Sequence, residues 1–246
     1  MRRIAIEAQN LHYTELNRRI REAVAGGAEE IVLDHVLGQR FIADGLKGTV
    51  TLVIRGVPGG DLGMFMSGPT CIVEGNCEHA PGNTMDAGTI VIHGGAGDAV
   101  AHSMRGGQVF VRDSIGYRGG IHMKEYEQKR PILVVGGGAR AFLGEYMAGG
   151  LIVVLGRGSV RPVDERGIGS GIHGGEIYIR GTIDERNLGV GATLKPFGKE
   201  QREKIHPCIR EYGRRFGVDC TEILQDEFTR IGPSSLRPFA NKYVWE

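Results

Sequence analysis

The chain has 246 residues, and its 30 Lys and Arg balance 29 Asp and Glu to a formal charge of +1. Such a mixed, near-neutral surface leaves no electrostatic footprint for nucleic acid. No apolar stretch approaches the ~18–20 residues of a membrane span, and Met1-Arg2-Arg3-Ile4-Ala5-Ile6-Glu7 lacks a signal-peptide core, so a cytoplasmic protein is expected.

Residues 1–47 are expected to form an α/β cap. Thr14 is placed to cap a helix from Glu15 to Ala25, because Leu16, Ile20 and Val24 make an i, i+4, i+8 stripe and Gly26-Gly27 stops it. A strand follows over Glu30 to Val36. A segment of this kind would cover an open sheet edge.

Residues 48–181 repeat one unit. Ile54, Val73, Ile92, Val111, Val134, Val154 and Ile179 each end a short β-branched-rich run, at steps of 19, 19, 19, 23, 20 and 25 residues. A period near 20 is too short for a two-helix repeat and fits one coil of a β-solenoid. The spacing predicts an all-β core, a right-handed parallel β-helix of about seven coils, its hand set by the crossover preference of parallel strands.

Side-chain alternation turns those seven residues inward together with Leu52, Cys71, Ile90, Val109, Ile132, Ile152 and Ile177. The residues between them, Val53, Ile72, Val91, Phe110, Leu133, Val153 and Tyr178, face outward and are apolar as well, the pattern of a sheet covered on both faces. A second ladder, Met66, Met85, Met104 and Met123 at steps of 19, resumed by Met147, reads as adaptable core filling. The two longest steps hold hydrophilic insertions, Lys124 to Arg130 and Arg157 to Arg166, expected to project as loops. Paired glycines such as Gly94-Gly95 and Gly149-Gly150 suit the turns.

Residues 182–246 read as a helical and extended tail. A charged helix spans Lys199 to Phe216, interrupted by Pro207, and Arg237-Pro238-Phe239-Ala240-Asn241-Lys242-Tyr243 is expected to wrap along the body or reach a neighbour.

Chemistry is sparse along the chain. Cys71, Cys77, Cys208 and Cys220 have no paired CxxC spacing, which supports neither a zinc site nor an iron–sulfur cluster and leaves free thiols. The glycine run after Leu133-Val134-Val135 invites a nucleotide-binding reading, but Val91-Ile92-His93-Gly94-Gly95 occupies the same place in an earlier coil, so the repeat explains it. His79, His93, His102, His122 and His173 follow no metal-site or triad spacing. Arg118, His122, Lys124 and Glu145 make the densest polar patch.

The strings from Gly106 to Tyr126, Phe142 to Gly156 and Gly169 to Gly181 closely resemble the GXGXG-type domain of the glutamate synthase large subunit, in its stand-alone form. The same repeat occurs in one of the subunits of formylmethanofuran dehydrogenase and in N-methylglutamate synthase-like complexes. The resemblance implies a parallel β-helix that holds two other parts in relation: an amidotransferase with an amino-terminal cysteine nucleophile, and a barrel carrying FMN and an iron–sulfur cluster. This chain begins Met1-Arg2-Arg3 and has no clustered cysteines, so no catalytic residue, cofactor or metal is expected on it. Expected partners are a glutamine amidotransferase subunit and an FMN-containing glutamate synthase subunit, with a homo-oligomer also open. The candidate interface combines the outward strip Phe110, Leu133, Val153 and Tyr178 with Tyr117, Arg118, His122, Lys124 and Glu145. A carbohydrate-acting β-helix enzyme is the rival of another class, and the single Trp, Trp245, argues against its aromatic groove.

Overall fold

A computed structural model describes residues 2–159 and 161–235. The expected tail from Arg237 to Tyr243 lies outside the described residues. The first unit is a strand, a helix and a strand: β1 (Arg3–Glu7), α1 (Tyr13–Ala25) and β2 (Glu30–Leu37), with β1 parallel to β2. His12, two residues before the expected Thr14, caps α1, and its side chain accepts from the Thr14 amide. Leu16 and Ile20 of α1 are buried against Ile6, Ile31 and Leu33, which closes one end of the interior.

Seven parallel strands follow: β3 (Thr51–Val57), β4 (Ser67–Val73), β5 (Ala87–Ile92), β6 (Gln108–Val111), β7 (Ile132–Val135), β8 (Ala148–Val154) and β9 (Gly174–Arg180). Seven successive strands enclose six full turns, slightly fewer than the expected seven coils, and the turn from β2 into β3, which pairs parallel with it, supplies one further corner of the same kind. The chain then leaves the repeat. After β10 (Ala192–Lys195) and α2 (Lys199–Phe216), strand β11 (Phe228–Pro233) returns antiparallel to β9, with β10 outside it. The tail read as helical and extended therefore also carries two strands, which end the parallel pairing.

Register aligns Leu52, Cys71, Ile90, Val109, Leu133, Ile152 and Ile177 as one inner row, and Ile54, Val73, Ile92, Val111, Val135, Val154 and Ile179 as the other. All fourteen are fully buried. Burial at about 1.5–3 kcal/mol per side chain makes these rows the main favourable contribution of the repeat. One coil departs from the expected phase: Leu133 points inward, while Val134 packs outside and Ile132 lies against the outer cluster. Ile132-Leu133-Val134-Val135 is apolar at every position, so alternation carries no phase information there. The methionine ladder lies inside, with Met66, Met85, Met104, Met123 and Met147 all at 0% exposure.

The insertion from Lys124 projects, closed by reciprocal backbone hydrogen bonds between Tyr126 and Lys129. The second insertion projects only in part. Pro162 accepts from the Ala139 amide, and Val163 is 3% exposed within the core, so its far half rejoins the coil.

Candidate partner interface

Each coil turns one corner through three left-handed residues at alternate positions. In two coils these are Arg118, Gly120 and His122 (φ 58, 70 and 55°) and Phe142, Gly144 and Tyr146 (φ 64, 67 and 52°). Amide directions explain the alternation. Arg118 and His122 donate forward to Ala141 and Glu145 of the next coil, while Gly120 donates back to Val100 of the preceding one. The middle position faces the interior and holds only Gly or Ala: Ala43, Gly63, Gly82, Ala101, Gly120, Gly144 and Gly169. A Cβ on Gly63 would lie 2.9 Å from Ile90 Cδ1, which is why small residues persist there. The two outer positions face solvent and form ladders of their own.

One outer ladder runs Phe65, Thr84, Ser103, His122 and Tyr146, each amide donating to the residue before the next member. The His122 ring stacks on Tyr146 at 5.2 Å and meets His102 edge-on at 6.0 Å. His102 Nδ1 lies 3.2 Å from Asn83 Oδ1, and Asn83 donates to Asp61 at 2.9 Å, which continues the polar line across further coils. Burial, then the neighbouring His122, pushes the His102 pKa down against the opposing pull of Asp61. On the other outer ladder Arg118 lies 5.1 Å over the Phe142 ring and donates to Glu145 at 3.1 Å. Arg140 covers Tyr117 at 4.7 Å and pairs with Glu165 at 2.5 Å.

The structure divides the expected interface residues into two groups. Tyr117, Arg118, His122 and Lys124 are exposed at this corner, with Glu145 sheltered behind Arg118. The apolar strip is not open. Phe110, Val153 and Tyr178 are at most 1% exposed, packed beneath Ile205, Cys208, Ile209 and Tyr212 of α2, and Leu133 lies inside the solenoid. The chain thus covers its own strip. Phe65, Phe142 and Tyr146 belong to the corner but were not among the expected residues; Phe142 and Tyr146 stand one ladder position after Arg118 and His122, and Phe65 stands three before His122.

All four cysteines are free and buried, and burial pushes the Cys71 thiol up to about 12 and Cys208 to about 11, which disfavours the thiolate that metal binding needs. Among the described residues no group of three or more His, Cys, Asp or Glu is placed to hold a metal, and no helix is long and apolar enough to cross a membrane. The glycine run at Gly136-Gly137-Gly138 serves packing: a Cβ on Gly136 would lie 2.0 Å from the Tyr212 hydroxyl.

Fold and corner together define the class, a parallel β-helix whose turns are built on alternating left-handed residues. The profile of the family described by the GXGXG motif matches residues 28–236, and the chain belongs to that family. Gly167-Ile168-Gly169-Ser170-Gly171 has glycine at all three left-handed positions of the last such corner. An uncharacterised protein of Methanocaldococcus jannaschii is 54% identical over 260 residues, spanning 99% of this chain and 97% of that protein. The ferredoxin-dependent glutamate synthase of Pyropia yezoensis is 25% identical over 221 residues, which are 83% of this chain but 14% of that protein.

Proposed function

We propose that the chain is a non-catalytic β-helix subunit of a glutamate synthase-type complex. It holds a glutamine amidotransferase polypeptide and an FMN-containing synthase polypeptide in relation, so that ammonia released by one is consumed by the other in glutamate biosynthesis. The observation that carries this reading is the alignment in which most of this chain corresponds to 14% of a ferredoxin-dependent glutamate synthase. In this reading the amidotransferase and synthase activities belong to partner polypeptides, and FMN and the iron–sulfur cluster belong to the synthase partner. The molecule's construction suits the role. A stack of hydrogen-bonded coils with a continuous core is stiff along its length, as a spacer between two active sites must be.

The test is affinity purification from the native cell, with mass spectrometry of the co-purifying chains. An amidotransferase and a flavin-dependent synthase in near-equal amounts are the expected outcome. Recovery instead of formylmethanofuran dehydrogenase subunits, or of the chain alone, overturns the assignment.

A further inference from the structure

We infer that the left-handed corner docks an acidic surface on a different protein chain, with Phe65, His122 and Tyr146 as aromatic anchors and Arg118, Arg140 and Lys124 as a basic rim. The partner's identity rests on the reading above; the location and chemistry of the surface rest on three observations.

The first is conformational. The outer corner positions demand positive φ, where glycine is unstrained and a Cβ is penalised. Phe65, His122 and Tyr146 nevertheless occupy them at φ 54, 55 and 52°, whereas Gly171 takes the same place in the last coil. Phe65 is 51% and Tyr146 50% exposed, so burial within the chain returns little for that strain. The amides at these positions serve the coil whatever the side chain, so the exposed rings of Phe65 and Tyr146 are apolar surface available to something outside the fold.

The second is electrostatic. In three ion pairs of this corner the cation is the outer member: Arg118 is 52% exposed against 12% for Glu145, Arg140 55% against 35% for Glu165, and Arg40 54% against 17% for Asp61. Exposed Arg105 and Lys124 flank the same face. The outermost charges of these pairs are thus cations, set among aromatic side chains, and Arg and aromatic residues are enriched at protein interface cores.

The third excludes a twofold pairing of two copies through this face. A twofold contact places the same patch against itself, and here that sets the basic rim against a basic rim. An acidic partner of different sequence is the complement.

The experiment uses the full chain, the Phe65→Gly/Tyr146→Gly double variant and Lys124→Glu. Each is titrated calorimetrically with the recombinant amidotransferase and synthase polypeptides of the same organism and with a single-stranded thymidine oligonucleotide, at low and physiological salt. Thermal melting accompanies each. The glycine variant is expected to melt at or above wild type, because strain is removed, yet to bind one polypeptide at least about tenfold more weakly. Lys124→Glu should weaken the same binding and flatten its salt dependence. Wild-type chain that binds neither polypeptide overturns the proposed function and this docking assignment together. Wild-type binding with both variants unchanged overturns the corner alone, as does a lower melting temperature for the glycine variant. Tighter binding to the oligonucleotide than to either polypeptide makes the face a nucleic-acid platform and overturns an acidic protein as its partner.

Discussion

At the scale of single residues, register decides what a substitution costs. Ile92 is fully buried in the solenoid interior, whereas the half-buried His93 meets the Phe216 ring edge-on at 5.1 Å. A carboxylate at 92 has no partner to offset its desolvation, so Ile92→Asp should cost more than about 4 kcal/mol in chemical denaturation and His93→Asp roughly 1 kcal/mol. Similar midpoints for the two variants would show that the strand phase is wrong. Glu176 makes a different point. On β9 it accepts from Lys204 of α2, from Arg230 of β11 at 2.5 Å and from Arg130 of the first insertion at 3.1 Å. Burial acts to raise its pKa, but Lys204 and Arg230 outweigh it and hold the carboxyl below its ordinary 4.5. A depressed folded-state pKa contributes stability that is present above the unfolded value and lost as pH falls through the folded one. Glu176→Gln should therefore lower the melting temperature at neutral pH and flatten its fall below pH 4.5; parallel melting curves against pH for variant and wild type would refute the coupling.

The sequence held more of the corner than its strand pattern alone conveys. Phe65, Thr84, Ser103, His122 and Tyr146 each stand immediately before a member of the methionine ladder, so the period that located the core also located the exposed ladder beside it. What spacing does not carry is the φ of those residues. Nothing in an isolated Phe or Tyr announces a left-handed backbone, and only the glycines at equivalent places in other coils point to it.

At the scale of elements, α2 is the piece whose place the sequence left open. Its bounds were legible from charge and periodicity, and the outward apolar residues implied a cover, but neither says that the two belong together. Tyr212 fixes the match: its hydroxyl donates to the Arg112 carbonyl at 2.8 Å and accepts from Arg157 at 3.0 Å. Tyr178→Glu should accordingly destabilise the fold by about 3 kcal/mol or more, with a loosened α2, rather than act only on assembly. Gly136→Ala should do similar damage from the opposite side, since its Cβ would collide with Tyr212. Hydrogen exchange along residues 199–216 checks both; unchanged protection there would mean that α2 is held by its ends and not by the strip. Strands β10 and β11 escaped sequence reading because β10 alternates over only four residues and β11 does not alternate: Phe228-Thr229-Arg230-Ile231-Gly232-Pro233 is recruited by the open edge of β9.

At the scale of the whole molecule, a stiff β-helix covers its outer sheet face over β6 to β9 with its own helix and turns a corner of exposed aromatic and cationic side chains outward. Family membership was legible from long motifs, because a repeat fixes core, corner and strand at once. The partners were not, since an interface is half written in another chain. The most direct measurement is reconstitution: glutamine-dependent glutamate formation from 2-oxoglutarate by the amidotransferase and synthase polypeptides, with and without this chain, with the complex sized by light scattering. A scaffold role predicts a single assembly containing all three chains, and a loss of glutamine-dependent but not ammonia-dependent activity when this chain is omitted. Full glutamine-dependent activity from the two partners alone, with this chain eluting separately, would contradict it.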